Sequence, residues 1–357
     1  MEKAVAFYGA GMVAVSVYYA IKELYRDWRA VCFIVSNKSG NPDNIDRIPV
    51  LSIEEFFRID RRNNVKILVA TPENHHEMIA LELHKRNHRN YLLMDSRKEA
   101  ALMEQYFNRK KQFISLRSYP VGTKRASLKV YMTRFHKDTL LQNPYKTQEW
   151  ICDIQAGAAL SEISVADIKD NTGDNISGKN GNYSELSALY WIWKNTQALD
   201  RDKEYFGLFH YRRILDMTEE DRCRIEENHI DIILPFPTIH YPSANEHHQR
   251  YVREEDWQAM TMALAELAPE YAKNMSRIFS QPYFYNYNML IAKRKIFDDF
   301  CEWMFPILEK TESLSSPKGW ERSDRYIGYL GENLTTLYFM YHKEELKIAH
   351  TGRLMLI

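Results

Sequence analysis

Hydrophobic positions in the first hundred residues follow two patterns. Short apolar runs at 4–8, 30–35, 65–70 and 91–94 read as buried strands. Between the first two, Val13, Val17, Ala20, Ile21 and Leu24 recur at helical spacing, and residues 74–87 read as a second helix. Strands alternating with helices predict a parallel sheet with right-handed crossovers. The polar, Pro- and Gly-bearing stretch at 119–126 reads as a linker, dividing the chain into domains at 1–118 and 127–357.

Past the linker a strand starts near Leu128 and leads into Arg134-Phe135-His136-Lys137. Residues 170–182 are polar and glycine-bearing, so they read as a loop. A helix follows, with Leu186, Leu189, Tyr190 and Trp193 on one face. Residues 205–210 form an apolar run that ends in His210-Tyr211-Arg212-Arg213, and 231–234 form another. The segment 284–291 begins with amides and ends as a strand, and helices are expected near 295–311 and 323–343. The expected fold class is α/β in both parts. Ligands of open α/β sheets bind at the carboxyl ends of strands, where Arg134–Lys137 and His210–Arg213 are both expected.

A chain of 357 residues fits two domains, and 45% apolar with 27% charged residues fits a globular core. Lys+Arg and Asp+Glu are equal at 48 each, which argues against a nucleic-acid-binding face while leaving room for a local cationic pocket. Cys32, Cys152, Cys223 and Cys301 are too scattered for a zinc or redox motif, and free thiols fit a reducing cytoplasm. No signal peptide precedes the first strand, and no apolar stretch reaches the ~18 residues of a spanning helix. The expectation is a cytoplasmic protein with at most peripheral contact with the inner face of the membrane.

Candidate chemistry begins at Gly9, Gly11 and Ala14, which match the G-x-G-x-x-G/A turn after a first strand. That turn lets a phosphate approach the helix N-terminus. The carboxylate that would hold a ribose after the second strand is replaced by Ser36-Asn37-Lys38. Three readings stay open: a half-Rossmann turn kept for packing, a nucleotide or nucleotide-sugar site, and an NAD(P) site. Tyr18 and Lys22 have Tyr-x-x-x-Lys spacing, but on the helix right after the glycine turn, the wrong place for dehydrogenase chemistry. The runs Phe33-Ile34-Val35-Ser36, Ile48-Pro49-Val50 and Val69-Ala70-Thr71-Pro72 resemble the N-terminal nucleotide-binding domain of bacterial sugar O-acyltransferases. The resemblance implies a sugar-pathway setting without acyl transfer, since no hexapeptide repeat follows.

Further motifs stand in order: residues 170–177, Lys179-Asn180, Tyr183-Ser184-Glu185-Leu186, residues 190–195, His210-Tyr211-Arg212-Arg213, Tyr287-Asn288-Met289 and residues 301–305. Together they resemble a bacterial family of capsular and exopolysaccharide biosynthesis proteins, long carried as a domain of unknown function. That resemblance implies a GT-A-like glycosyltransferase linked to galactofuranosyl transfer from a UDP donor. It also implies a glycan or lipid-linked glycan acceptor.

A departing diphosphate needs neutralising charge. Arg212 and Arg213 offer guanidinium forks for it, the alternative being ion pairs that hold the loop. His210 is a hydrogen-bond donor or a single ligand to a divalent metal such as Mn or Mg. Asp174, Asn175, Lys179 and Asn180 are placed along the donor pocket, against a loop whose side chains bond their own backbone. Glu185 is either a ligand group or a helix cap, because Asn182 precedes it at capping-box spacing. Asn286 and Asn288 read sugar hydroxyls or cap a strand end, and Trp193 is expected in the core. An inverting transfer needs a general base, for which the resemblance points to Glu332 and then Asp324. Asp200-Arg201-Asp202 reads as a surface turn, and His240, His247 and His248 as solvated side chains. Two other functions remain: a non-catalytic nucleotide- or sugar-binding module, and an NAD-dependent sugar-modifying enzyme.

Overall fold

The structure is a computed structural model that describes residues 2–59, 64–141, 148–318 and 321–357. Among them, the strands β1 (Lys3–Tyr8), β2 (Trp28–Val35), β3 (Asn44–Ile45), β4 (Ile48–Ser52), β5 (Lys66–Val69) and β6 (Tyr91–Leu93) form one sheet. Its order is β3-β4-β2-β1-β5-β6, parallel apart from the β3–β4 hairpin. The central strands read as unbroken apolar runs because both faces are covered, as a parallel sheet requires. The helix Met12–Leu24 packs its Val13, Val17, Ala20 and Ile21 on one face. The helix Ser96–Lys110 lies beside it, its start capped by the Asp95 carboxylate accepting from Lys98 N–H at 2.9 Å.

A second sheet contains β7 (Leu128–Arg134), β8 (Ile151–Gln155), β9 (Ile168–Lys169), β10 (Tyr205–His210), β11 (Arg213–Leu215) and β12 (Ile232–Pro235). A short pair, β13 (Thr238–Ile239) and β14 (Tyr283–Phe284), lies outside it, and β15 (Leu290–Lys293), β16 (Ile348–Thr351) and β17 (Arg353–Met355) complete it. The main order is β16-β12-β15-β10-β7-β8-β9, with β11 folding back on β10 to pair β17. Only β15 runs against its neighbours along this path. At the centre, Gly207 is required by close approach, since a Cβ there would lie 2.6 Å from the Leu290 carbonyl oxygen.

The helices Leu186–Leu199, Arg294–Leu314 and Tyr326–Tyr341 cover one face of this sheet. Leu186, Leu189 and Ile192 are buried there, and Trp193 stacks on Phe305 with ring centroids 5.6 Å apart. The two sheets are stitched together. Ile239 N–H donates to Ser16 Oγ at 2.9 Å, His350 N–H donates to the Ile114 carbonyl at 2.8 Å, and Arg353 pairs Glu99 at 3.3 Å. Phe236 lies in the same apolar cluster as the helix Met12–Leu24 and stacks on Phe107. Residues 119–126 are strapped to the helix Glu219–Glu227, whose Arg224 and Arg222 donate to the Tyr119 and Ala126 carbonyls. No helix among the described residues is long and apolar enough to cross a membrane.

Two polar readings change in three dimensions. Asp200 is buried, bound by Lys129 Nζ at 2.7 Å and Tyr131 O–H at 2.6 Å, while Asp202 stays in a surface ion pair with Lys203. The Asp-x-Asp turn is therefore half structural. His240, His247 and His248 are buried too. Two are drawn in by ring stacking, His247 on Phe284 at 4.1 Å and His248 on Trp257 at 3.7 Å, while His240 meets Phe284 edge-on and is held by Glu246 at 2.9 Å. A histidine buried on an aromatic face looks polar only in the sequence.

Candidate active site

The parallel strands β7, β8 and β10 end side by side, and the chain leaving them forms the floor of an open cleft. Thr133, Arg134, Phe135, Lys137 and Asp138 come from the end of β7, Ala156 from the end of β8, and His210 and Tyr211 from the end of β10. The far wall is built from helix starts. Asn180 and Gly181 lie in the short helix Asn180–Tyr183, Ser184 and Glu185 lead into the helix Leu186–Leu199, and Ser323 and Arg325 precede the helix Tyr326–Tyr341. The cavity measures about 420 Å³, inside the usual range for small-ligand sites.

The cleft carries three cations, Arg134, Lys137 and Arg325, against two carboxylates, Asp138 and Glu185. Arg134 Nε pairs with Asp153 at 3.1 Å, and Arg325 Nε donates to Ser184 Oγ at 3.0 Å. Arg325 holds a left-handed φ of 65°, a strained setting for an arginine that recurs at ligand-binding positions. Burial raises Asp138 above the ordinary carboxylate range, although its oxygen accepts from Phe135 N–H at 2.8 Å. His210 is driven down to about 3 by burial, with the charge of Arg213 adding, so its imidazole is neutral. Its Nε2 is buried and has no hydrogen-bond partner among the described residues.

Glu185 is pushed up to about 7 by burial, with the nearby charge of Glu332 adding. Its carboxylate accepts from Asn288 Nδ2 at 2.7 Å. Asn288 is itself fixed, donating to the Gly328 carbonyl at 3.2 Å and accepting from Thr335 O–H at 3.0 Å. The helix cap foreseen for Glu185 does not form. Ser184 adopts φ 50° and breaks the chain between the two helices, and Asn182 turns to the Arg322 carbonyl and Asp324 N–H instead.

The candidate residues fall into three groups. Asn180, Glu185, His210 and Tyr211 line the cleft, with Asn288 directly behind Glu185. Arg212 and Arg213 lie beside it without lining it. Arg213 stacks on Tyr287 at 4.2 Å and Arg212 lies over Tyr211 at 5.0 Å, their charges reaching His210 and Asp138. The remainder point elsewhere. Asp174 accepts from Tyr190 O–H, Asn175 closes an Asx-type turn onto Ser177 N–H, and Lys179 Nζ pairs with the buried Glu312 at 2.6 Å. Asn286 accepts from Thr238 Oγ1, Glu332 is held by His247 Nε2 at 2.8 Å, and Asp324 pairs with Arg322 at 3.2 Å.

Arg325 was missed by the sequence reading. No local pattern marks it, and only the start of a distant helix brings it to the strand ends. Among the described residues, no group of three or more His, Cys, Asp or Glu could hold a metal ion. The donor set of the cleft suits an anion better than a divalent cation.

The glycine turn faces a different cavity. Gly9 takes φ 118°, and a Cβ there would lie 2.8 Å from the Ala70 carbonyl oxygen. Ala14 is fully buried against it. Gly11, Met12 and Val15 line a cavity of about 260 Å³ together with His240, Tyr241 and Arg250. Tyr18 and Lys22 both bind Asp46, at 2.7 and 2.6 Å, a structural use of that pair.

A mixed α/β sheet with a cation-lined cleft outside the carboxyl ends of its parallel strands places the candidate site where open α/β folds bind their ligands. The chain belongs to the family described as "Domain of unknown function (DUF4422)", which matches residues 129–344 and so spans the cleft. Among solved structures it is similar to the WbbM bifunctional glycosyltransferase in its apo form. That likeness has 28% identity and a TM-score of 0.55, covering 64% of this chain and 45% of that one. The chain thus spans less than half the length of WbbM. The S. cerevisiae mannosyltransferase Ktr4p is far more distant, at 10% identity and a TM-score of 0.29 over 67% of this chain and 76% of that one. No curated protein matches the chain.

Proposed function

We propose that the protein is a glycosyltransferase that moves a sugar from a nucleoside-diphosphate donor, UDP-linked, to a growing surface-polysaccharide acceptor. The observation that carries this reading is the cleft itself. Three cations, Arg134 and Lys137 from the end of β7 and Arg325 from the start of the helix Tyr326–Tyr341, converge at strand ends in a fold similar to that of the WbbM glycosyltransferase. A diphosphate leaving group develops negative charge as the glycosidic bond breaks, and preorganised cations stabilise that charge. Guanidinium forks suit its paired oxygens. Neutral His210, whose Nε2 has no partner among the described residues, supplies a directional hydrogen bond, and Tyr211 supplies a ring face. The family resemblance favours galactofuranose as the sugar, an inverting outcome, and a glycan or lipid-linked glycan as acceptor.

The test is a thermal-shift panel of UDP-, GDP-, CDP- and dTDP-sugars, with and without manganese. A ligand that binds only the folded state at a hundred times its Kd adds about 2.7 kcal/mol of stability. The expected outcome is a shift with a UDP-sugar that does not need manganese. A melting point unmoved by every sugar nucleotide would overturn the proposal.

A further inference from the structure

We propose that Glu185 is the general base that takes the acceptor hydroxyl proton, an assignment that rests on the glycosyl-transfer reading of the cleft. A base for this step must face the reacting atoms, so only carboxylates on the cleft wall qualify. There are two among the described residues, Asp138 and Glu185. Glu332 is committed to His247 behind the wall, and Asp324 to Arg322 at the rim.

Geometry separates the two. Asp138 stands on the β7 side with Arg134 and Lys137, and Arg134 and Arg212 both act on its charge. Those charges oppose the burial that raises its proton affinity, and they leave Asp138 among the cations offered to the diphosphate. Its oxygen is also used to close the turn onto Phe135 N–H. Glu185 stands on the opposite wall at a helix start. Asn288 fixes its carboxylate at 2.7 Å, and Asn288 is held in turn by the Gly328 carbonyl and Thr335. A base must be rigid and aimed, and this chain of contacts provides both.

The charged groups facing Glu185 are few. Glu332 and Arg325 face it from the helix Tyr326–Tyr341 and its start, and act on it with opposite signs. His210, at the end of β10, is neutral. Arg134, Lys137 and Asp138 face it across the cleft from the end of β7. Burial and Glu332 together raise its proton affinity into the neutral range, where a base works best.

In the step, the acceptor oxygen forms a bond to the anomeric carbon as the bond from that carbon to the diphosphate oxygen breaks. The electron pair leaves on the diphosphate beside Arg134, Lys137 and Arg325. The acceptor proton passes to the Glu185 carboxylate and is then lost to solvent through the cleft mouth. Water can take the place of the acceptor, so donor hydrolysis reports the same base.

The experiment measures UDP release from the UDP-sugar panel by the full chain between pH 5 and pH 9, with UDP affinity measured by calorimetry. Wild-type kcat should rise through one ionisation near pH 7 and be flat above it. Glu185→Gln should lower kcat by about 10²-fold or more, abolish that limb and leave UDP affinity within about threefold. Glu185→Asp should keep the limb with reduced kcat, and Asp138→Asn should keep it as well. The assignment is overturned if Glu185→Gln keeps wild-type turnover and its limb, if Asp138→Asn removes the limb, or if Glu185→Gln loses UDP affinity more than tenfold. Wild-type protein that releases UDP from no donor would sink the glycosyl-transfer reading itself, a different result from an active enzyme whose Glu185→Gln variant stays active.

Discussion

Glu185 illustrates how a working side chain is kept at a cost to the fold. Its proton affinity is higher in the folded protein than in the unfolded chain, rising from 4.5 to about 7. The folded state therefore binds the extra proton, and the stability linked to it is full below about 4.5 and lost as pH rises through about 7. Glu185→Gln removes the buried charge and keeps the Asn288 contact. Urea unfolding at pH 8 should find the variant more stable by on the order of 1 kcal/mol, with the gap closing at pH 5. A variant equally stable at both values would show that the carboxylate is already well solvated. The cations can be ranked in the same way. Arg325→Ala, which strips the cleft, should weaken UDP binding about tenfold, or ~1.4 kcal/mol by calorimetry. Arg213→Ala should do less, because that guanidinium lies on the Tyr287 ring, outside the cleft lining. Equal losses would move the diphosphate toward β11. At this scale the sequence was only partly readable. His210 and Tyr211 follow an apolar strand, so their place at a strand end was legible. Arg325 lies in a stretch of mixed charge with no periodicity, and its role depends on a neighbour more than a hundred residues away.

Elements decide which of those side chains converge. The segment 170–180 reads as a polar loop, and its order comes from Asp170, which is fully buried. That carboxylate accepts from Gly157 N–H at 2.8 Å, Ala158 N–H at 2.9 Å, Ser187 O–H at 2.7 Å and Ser177 O–H. It ties the end of β8 to the start of the helix Leu186–Leu199, and so sets the position of Asn180 and Glu185 on the wall. Asp170→Asn would turn an acceptor into a donor among four donors. The loss expected in chemical denaturation is about 2–3 kcal/mol, with UDP affinity falling alongside. A stable variant would mean that the loop is held by its Asx turns alone. Strands and long helices were legible because buried parallel strands are continuously apolar and core helices repeat every three to four residues. The loop was legible only as a loop. Its buried acid looks in sequence like any other aspartate in a polar run, as do His247 and Glu332, which meet only across packed helices.

At the scale of the whole molecule, the two sheets share part of one core. Phe236, which follows β12, stacks on Phe107 at 5.4 Å and on the His350 ring at 6.0 Å. Phe236→Ala should cost about 3 kcal/mol, and near- and far-ultraviolet dichroism should still report one coincident unfolding transition. Two separated transitions in the wild-type protein would show that the seam does not couple the units. The placing of two α/β units followed from their apolar rhythm, but the tightness of their joint did not, because Ser16, Phe236 and Ile239 look like ordinary helix and strand residues. The reversed direction of β15 has one further effect. Its neighbour β10 leads into the cleft through the chain that follows it, whereas β15 is reached through the chain that precedes it, which places Asn288 behind Glu185. Natural insertions after β15 would therefore land on the remote rim and leave the chemistry alone. Changes in the few positions ahead of it would retune the pocket, which makes that stretch the natural place for relatives with different sugar preferences to diverge.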